Sequence, residues 1–366
     1  MRIVLAPDSF KDSLSAVSAC GAMSRGVRRV MPDADIVSVP VADGGEGTAD
    51  AMVRASGGVM ETVRVSGPLA QPVEASLGIL GDGKTAVIEL AQASGLERVP
   101  KPLRNPLRTT TFGTGELVRR ALDKGFRRLV VGIGGSATTD CGSGMAQALG
   151  ARFFRMDGSE IREPMTGGLL GSVDRVDLGG LHPGLVASDI RVACDVDNPL
   201  LGARGAVHTY SRQKGASEKD LEKLEAGMAR FIGIVENAVG RSVREIEGSG
   251  AAGGAGAGLL AFFGASLVPG IALVLDACGF DEKVRTADLV FTGEGKVDAQ
   301  TASGKAVAGV ARAAARHGVP VIAIAGQVGD GLDALYGLGV VSVFSICPGP
   351  MPLDQSLARA ETLVED

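Results

Sequence analysis

The sequence predicts an α/β fold in which a doubly wound parallel sheet is interrupted by a second, mixed α/β domain. Three observations predict this class. Strands and helices alternate at both ends of the chain, closely spaced strand-like runs with Gly-rich turns open the middle, and the composition suits a buried sheet. The chain has 366 residues, of which 45% are hydrophobic, only 4% are aromatic and none is Trp. A core of Ala, Val, Leu and Ile is typical of a parallel sheet covered on both faces, and the length favours two domains.

The two ends of the chain contribute the parallel sheet. Apolar, β-branched runs predict five strands, at residues 2–6, 36–41, 288–292, 319–325 and 340–346. Helical spacing predicts the intervening helices, at residues 16–30, 46–55, 303–317, 332–338 and 353–364. Because alternating strands and helices form parallel sheets, we expect residues 1–65 and 286–366 to form one discontinuous domain.

The middle of the chain predicts the inserted domain. Three strand-like runs lie close together with Gly-rich turns between them, at residues 62–65, 73–80 and 85–90, which is typical of hairpins. Further helices and buried strands are predicted at residues 116–124, 127–131, 142–149, 190–194 and 218–239. We therefore expect residues 66–285 to form a mixed α/β domain.

Composition and charge exclude several classes of function. The formal net charge is −5, and no basic stripe with interleaved aromatic residues is present, so we expect no nucleic-acid partner. No apolar run reaches about 18 residues, which argues against a membrane partner, and no signal peptide is expected. The five cysteines are widely spaced and form no C-x-x-C pair, which favours a reducing cytoplasm over a disulfide framework or a zinc site. The 54 glycines follow no G-X-Y repeat and indicate many loops lined by backbone.

Two glycine-rich motifs imitate nucleotide-binding fingerprints. Residues 78–85 fit the P-loop pattern G-x-x-x-x-G-K-T, but a strand follows and Asp82-Gly83 is a hairpin-turn pair, so we reject a P-loop. Residues 248–253 fit G-x-G-x-x-G but follow a helix rather than a strand, so we reject a Rossmann dinucleotide site. Glycines here either expose backbone to an anion at a helix N-terminus or allow close packing. The sequence leaves both roles open for Gly250, Gly253 and Gly254.

A third glycine-rich loop follows the buried strand at residues 127–131. Gly134, Gly135 and Ser136 lie between that strand and a helix predicted from residue 142. Free N–H groups converge where a strand leads through such a turn into a helix N-terminus. We therefore expect this loop to bind an oxyanion or a phosphate group.

Polar turns follow the strands at the two ends of the chain. Parallel sheets bind their ligands at the carboxyl ends of the strands, and we expect the polar residues there to bind the substrate. They are Asp8, Ser9 and Lys11 after the first strand, Asp43 after the second, and Glu294, Lys296 and Asp298 after the strand at 288–292. A solvated surface Lys is the simpler interpretation of Lys11, and a helix N-cap is the simpler interpretation of Asp43.

Two carboxylates end the strand near residues 190–194. Asp195 and Asp197 are two residues apart, and alternate residues of a strand share a face, so both carboxylates can converge on one Mg²⁺ or flank one hydroxyl. The chain has three histidines, none of them in such a loop, so a carboxylate is the better candidate for a general base. Asp and Asn before Pro199 also suit a plain turn.

Taken together, these stretches resemble the bacterial type-1 glycerate kinase family. The matches run in family order across the chain: APDSFK (6–11), PVADGGEG (40–47), the loop 132–140, DVDNPLLG (195–202), QKGA (213–216), GAAGG (250–254), and TGEG (292–295) with Asp298 and Gln300. The resemblance implies glycerate as acceptor, ATP with Mg²⁺ as donor, and a flavodoxin/Rossmann-like domain interrupted by a second α/β domain. It favours 2-phosphoglycerate over 3-phosphoglycerate, and it implies a role in breaking down carbohydrate-derived acids. The chain departs from the expected pattern at Cys141, where Gly is expected, and at residues 210–212.

The expected mechanism is phosphoryl transfer in a cleft between the two domains. Lys11 would pair with the glycerate carboxylate, Asp195 and Asp197 would hold Mg²⁺ or accept the hydroxyl proton, and the glycine loops would cradle ATP. The sequence is compatible with a homodimer. Two alternatives stay open: a kinase of another small hydroxy acid, and a non-catalytic two-domain binder of small solutes.

Overall fold

The computed structural model describes residues 1–42, 47–303 and 306–366. The strands are β1 (Arg2–Pro7), β2 (Asp35–Ser38), β3 (Val59–Ser66), β4 (Pro72–Ile79), β5 (Thr85–Glu89), β6 (Arg128–Gly132), β7 (Arg152–Phe154), β8 (Arg175–Asp177), β9 (Asp189–Ala193), β10 (Ser266–Val268), β11 (Leu289–Val297), β12 (Val321–Val328) and β13 (Val340–Ser345). The α-helices are α1 (Ala16–Val30), α2 (Thr48–Ser56), α3 (Leu90–Ser94), α4 (Phe112–Asp123), α5 (Ser143–Ala148), α6 (Ala206–Tyr210), α7 (Glu218–Val239), α8 (Ala251–Phe263), α9 (Gly270–Ala277), α10 (Phe280–Val284), α11 (Ala306–Ala315), α12 (Asp333–Tyr336), α13 (Leu353–Ala358) and α14 (Ala360–Glu365). Among the described residues, no helix is long and apolar enough to cross a membrane.

The described chain divides into two compact units. The first contains residues 1–42, Arg54–Ser56 and Pro269–Asp366, and the second contains residues 47–53 and Gly57–Val268. Each unit has its own sheet and its own hydrophobic core. β3 belongs to the second unit because it pairs with β4 along its whole length, and α9 and α10 belong to the first.

The first unit is built on a five-stranded parallel sheet with the order β13-β12-β11-β1-β2. Counted within this unit alone, the order is 2-1-3-4-5, which is the flavodoxin-like doubly wound order. The predicted fold class is therefore confirmed. The strand order reverses between β1 and β11, and the crevice outside the carboxyl ends of two such strands is where these sheets bind ligands.

The second unit is built on a six-stranded mixed sheet with the order β10-β9-β6-β5-β4-β3. β3, β4 and β5 form the antiparallel part that the Gly-rich turns predict. β5, β6, β9 and β10 run parallel, so their carboxyl ends lie at one edge of the sheet. The register pairs Glu89 with Gly132 and Gly132 with Ala193, which brings the loops after β5, β6 and β9 next to one another.

Local sequence signals explain where the longest helix begins and ends. Ser217 and Asp220 form a reciprocal capping box at the start of α7, and Gly240 ends the helix in a left-handed conformation with φ 69°. The P-loop imitation at residues 78–85 is a turn, as the sequence predicts. The Asp82 carboxylate accepts hydrogen bonds from the N–H groups of Lys84 and Thr85, and β5 follows.

Candidate active site

A cavity lined by both polar and apolar side chains lies at the carboxyl ends of β1 and β11 in the first unit. Its volume is about 460 Å³, and five residues that the sequence predicts as site residues line it: Asp8, Ser9, Lys11, Glu294 and Lys296. β1 and β11 are adjacent, with Pro7 opposite Gly293. β1 ends at Pro7, whereas β11 is longer than the predicted strand 288–292 and continues to Val297, so Glu294 and Lys296 lie within the strand rather than in a turn after it. The cavity therefore occupies the switch point of the sheet, where this fold class binds ligands.

Glu294 is the most enclosed carboxylate of this cavity. It is 8% exposed, and its Oε1 atom accepts a hydrogen bond of 2.7 Å from the Thr301 hydroxyl. The strand can bring Glu294 here only because Gly293 precedes it: a Cβ atom on Gly293 would lie 2.2 Å from the Ile324 carbonyl oxygen. Close strand packing thus explains the first glycine of the Gly-Glu-Gly segment of β11.

Lys296 and Asp298 form an ion pair at the rim of this region. Lys296 Nζ lies 2.8 Å from Asp298 Oδ2, and this hydrogen bond raises the pKa of Lys296. The other Asp298 oxygen accepts the Gln300 N–H at 2.9 Å. Lys11 is exposed and forms no ion pair with any residue that the structure describes, so its charge is available to an anionic ligand. Asp43 lies outside the described residues.

The glycine turn after β6 exposes backbone donors in the second unit. Gly134 and Gly135 are exposed whereas Ser136 is 8% exposed. The N–H groups of these two glycines donate to no acceptor within the described ranges, whereas the Gly135 carbonyl accepts the Leu96 N–H at 2.8 Å. Gly135 has φ +68°, a conformation that glycine adopts without strain. The turn is fixed by the bond to Leu96, and its two exposed glycines have N–H groups without a partner among the described residues, as an oxyanion site requires.

Asp195 and Asp197 follow β9 at the same edge of this sheet. Both are exposed, and Asp197 Oδ2 lies 3.0 Å from the guanidinium of Arg204, which is also exposed. Two exposed carboxylates suit Mg²⁺, which keeps several waters and takes one or two carboxylates together with substrate phosphates. Within the described part of the chain, no cluster of three or more His, Cys, Asp or Glu residues could hold a metal.

The glycines at the start of α8 pack against backbone. Ala252, Gly253 and Gly254 have φ values of 55°, 70° and 83°, which kink the helix. A Cβ atom on Gly253 would lie 2.0 Å from the Thr138 carbonyl oxygen, and one on Gly250 would lie 2.2 Å from the Pro199 carbonyl oxygen. All three glycines of the sequence prediction are buried. Close packing, one of the two roles left open, is therefore present, and the binding role of Gly250, Gly253 and Gly254 stays a prediction.

Three buried charged residues beside these loops were not among the predicted site residues. Glu89 ends β5, is 6% exposed and accepts the Ala49 N–H at 2.8 Å. Asp140 is fully buried, and its carboxylate accepts hydrogen bonds from the N–H and hydroxyl of Thr111 at 2.8 and 2.7 Å. Burial raises the pKa of Asp140, and these hydrogen bonds oppose the rise. Lys214 is 2% exposed, and burial lowers its pKa to about 7.

Cys141, where the family pattern suggests Gly, has a backbone conformation that favours glycine. Cys141 has φ 53°, in the left-handed region that favours glycine. Its thiol is buried, which raises its pKa. The glycine that the family pattern suggests would thus adopt this backbone without strain.

Both units place polar side chains and glycine backbone at the carboxyl ends of parallel strands, the arrangement of α/β enzymes that bind small anionic ligands. The family model for the glycerate kinase family matches residues 3–366. A glycerate kinase of Halalkalibacterium halodurans is 49% identical over 99% of this chain and 95% of its own length. The glycerate 2-kinase of Escherichia coli K12 is 47% identical over 98% of this chain and 94% of its own length.

A solved structure agrees with these relatives. A crystal structure from Salmonella typhimurium LT2, whose protein carries the provisional name glycerate kinase 2, superposes with a TM-score of 0.89. It is 45% identical and covers 100% of this chain and 95% of that one. The chain belongs to the glycerate kinase family and is a kinase, which confirms the family predicted from the sequence.

Proposed function

We propose that this protein transfers the γ-phosphate of ATP to glycerate, with 2-phosphoglycerate as the product. The observation that carries the proposal is the cavity of the first unit, where Lys11 lies among hydroxyl and carboxylate groups. Its volume of about 460 Å³ lies in the lower part of the usual range for small-molecule sites, about 300–1,000 Å³. Family membership supports glycerate as the acceptor, and the name of the Escherichia coli relative supports the 2-hydroxyl.

In this proposal the acceptor is held by its carboxylate. Lys11 supplies the positive charge for the glycerate carboxylate. Hydroxyl groups of glycerate are bound by the polar groups at the strand ends, namely Asp8, Ser9, Asp43, Glu294, Lys296 and Asp298. Acceptors and donors at fixed positions would orient one hydroxyl for reaction, which is the main requirement of phosphoryl transfer.

The donor phosphates are assigned to the glycine turn of the second unit. The N–H groups of the exposed Gly134 and Gly135 donate to no acceptor within the described residues, and the Ser136 hydroxyl adds a further donor. Asp195 and Asp197 would hold Mg²⁺, which when bound neutralises charge on the phosphate oxygens. Gly250, Gly253 and Gly254 remain a secondary proposal for the same phosphates.

The reaction exchanges one phosphorus–oxygen bond for another. The bond from the γ-phosphorus to the bridging oxygen of ADP breaks, a bond to the glycerate hydroxyl oxygen forms, and the hydroxyl proton passes to a carboxylate. As the alternative to the role of both residues in holding Mg²⁺, Asp195 or Asp197 is the proposed proton acceptor, since carboxylates serve this purpose in kinase catalytic loops.

Substitution of Lys11 tests the acceptor assignment. Lys11→Met should raise KM for glycerate about tenfold or more, because a charge-assisted hydrogen bond is lost, and should leave KM for ATP unchanged. The matched control is Lys84→Met, an exposed Lys of the β4–β5 turn. An unchanged KM for glycerate would remove Lys11 from the site. ADP production with a panel of small hydroxy acids separates the remaining alternatives: preference for another acid would favour a different kinase, and no ADP with any acid would favour a solute binder.

The cellular setting is part of the same proposal. All five cysteines are free thiols, which supports a reducing cytoplasm. We place the activity in the breakdown of carbohydrate-derived acids, and we propose a homodimer, which light scattering of the purified protein would test.

A further inference from the structure

Lys214 is a buried cation directly behind the glycine turn. It ends the short 3-10 helix Arg212–Lys214 and is 2% exposed. Its Nζ atom donates a hydrogen bond of 2.8 Å to Ser136 Oγ and one of 2.6 Å to the Thr138 carbonyl oxygen. Lysine is almost never fully buried without a specific role or partner, so the position needs an explanation.

The surrounding segment is built to keep Lys214 in this place. The Ser211 and Thr139 hydroxyl oxygens lie 3.1 Å apart in a buried hydrogen bond. Gly215 has φ +95°, and a Cβ atom there would lie 2.1 Å from the Arg104 carbonyl oxygen. A side chain at residue 215 would therefore push the segment away from the loop. The contacts of Ser211 and Gly215, on either side of Lys214, hold this residue beside the glycine turn.

The direction of the hydrogen bonds sets what Ser136 can do. When Lys214 is protonated its ammonium group only donates, and Ser136 Oγ then accepts from it. The Ser136 hydroxyl hydrogen is then free to donate to a ligand of the turn that also contains Gly134 and Gly135. A second buried hydroxyl, Thr138 Oγ1, has no hydrogen-bond partner within the described residues.

We propose that Lys214 is a positioning residue that orients the Ser136 hydroxyl toward the nucleotide phosphates and supplies a buried counter-charge when they bind. This inference rests on the proposed function, which assigns the glycine turn to ATP. In the free protein the Lys214 side chain is buried, and Asp140 is the buried carboxylate near it. An anionic phosphate on the outer side of the turn adds a second negative charge and favours the protonated amine.

Proton uptake provides a readout that a purely structural role would not affect. Lys214 has a pKa of about 7 in the free protein, so at pH 8 its amine is mostly neutral. Binding of ADP or ATP raises that pKa and draws a proton from the buffer. The ionisable groups that face Lys214 or adjoin its partner are Asp140 and the thiol of Cys141, whose pKa values are raised by burial. The negative charge of the nucleotide acts on the pKa values of these acidic groups in the same direction, so the comparison with Lys214→Met assigns the proton to the Lys214 amine.

Isothermal titration with ADP, in buffers of different ionisation enthalpy at pH 8, tests the proposal. The wild-type protein should take up a fraction of a proton, whereas Lys214→Met should take up none and bind ADP about tenfold or more weakly. KM for glycerate should stay the same in both proteins. Lys223→Met, at an exposed site on α7, is the matched control and should behave as wild type.

Ser136→Ala keeps the test decisive if Lys214→Met does not fold, because it should weaken ADP binding while it leaves the buried amine in place. If Lys214→Met folds, the addition of Ser136→Ala to it should cause no further loss of ADP affinity, because Ser136 depends on Lys214 for its orientation. Wild-type affinity for ADP in Ser136→Ala, or unchanged proton uptake in folded Lys214→Met, would overturn the proposal. Direct ADP binding separates this result from the proposed function, which fails instead if the wild-type protein makes no phosphoglycerate.

Discussion

The Thr301 hydroxyl donates a hydrogen bond of 2.7 Å to Glu294 Oε1, and both side chains are buried. Seven residues separate them in the chain, and they meet because the turn after β11 folds back over the end of the strand. The contact gives one oxygen of the buried Glu294 carboxylate a hydrogen-bond donor. It fixes the most enclosed acidic group of the cavity that we assign to glycerate.

Thr301→Val should lower the free energy of unfolding by about 1–3 kcal/mol, because a buried carboxylate oxygen loses its donor. The same change should lower kcat/KM for glycerate. Thr301→Ser keeps the hydroxyl and serves as the control. Urea denaturation of the three proteins measures the effect, and equal stability of Val and wild-type proteins would show that the contact contributes nothing.

Asp195→Ala should reduce kcat by about 10²–10⁴-fold, the range expected for loss of a general base, and leave the fold intact because the side chain is exposed. Asp189→Ala removes an exposed carboxylate at the amino end of the same strand and should keep full activity. Initial rates of ADP formation at saturating ATP and glycerate measure both. Full activity in Asp195→Ala would exclude it as the base and as a required metal ligand.

The buried ammonium of Lys214 makes stability depend on pH. Its pKa is about 7 in the folded protein against 10.5 for an ordinary Lys, so between these values the unfolded chain binds more protons than the folded one. Stability therefore rises with pH in this window, by up to about 1.4 kcal/mol per pH unit. The difference in unfolding free energy between wild type and Lys214→Met should follow this rise from pH 7 to pH 9.5. A flat difference would contradict the lowered pKa.

Gly253→Ala separates packing from backbone strain. Gly253 and Gly240 have nearly equal φ values of +70° and +69°, but only at Gly253 would a Cβ atom clash, at 2.0 Å from the Thr138 carbonyl oxygen. Gly240→Ala should therefore cost only the strain of a left-handed residue, about 1 kcal/mol. Gly253→Ala should cost roughly 1–3 kcal/mol more because of overpacking. Equal losses of stability in Gly253→Ala and Gly240→Ala, measured by thermal or urea denaturation, would show that the kink of α8 accommodates a Cβ atom without further cost.

Much of the fold could be predicted because local and global signals agree. The boundaries of α1 and α7 follow from helical spacing and, for α7, from the Ser217 cap and Gly240. The alternation of strands and helices at the chain ends is sufficient for a doubly wound sheet. The last predicted helix, at residues 353–364, is two helices, since Arg359 leaves helical geometry with φ −107°. No proline or glycine marks that break.

The candidate site was only partly predictable because burial is a tertiary property. Asp8 and Lys11 follow β1, Glu294 lies near the carboxyl end of the adjacent β11, and the parallel topology brings them to one cavity. Lys214 carries no such signal. It lies on a short 3-10 helix and reaches a serine 78 residues away, and a lone Lys in a sequence is normally exposed. The packing role of Gly253 was likewise not predictable, because it depends on the Thr138 carbonyl, which only the folded chain brings next to it.

The most direct test of the proposed function is phosphorus NMR of the reaction mixture with ATP, Mg²⁺ and glycerate. We expect the γ-phosphate signal of ATP to disappear as ADP and a phosphomonoester resonance of 2-phosphoglycerate grow in equal amounts. ATP that stays intact beside glycerate would contradict the assignment of the substrate. A resonance of 3-phosphoglycerate instead would contradict the choice of hydroxyl.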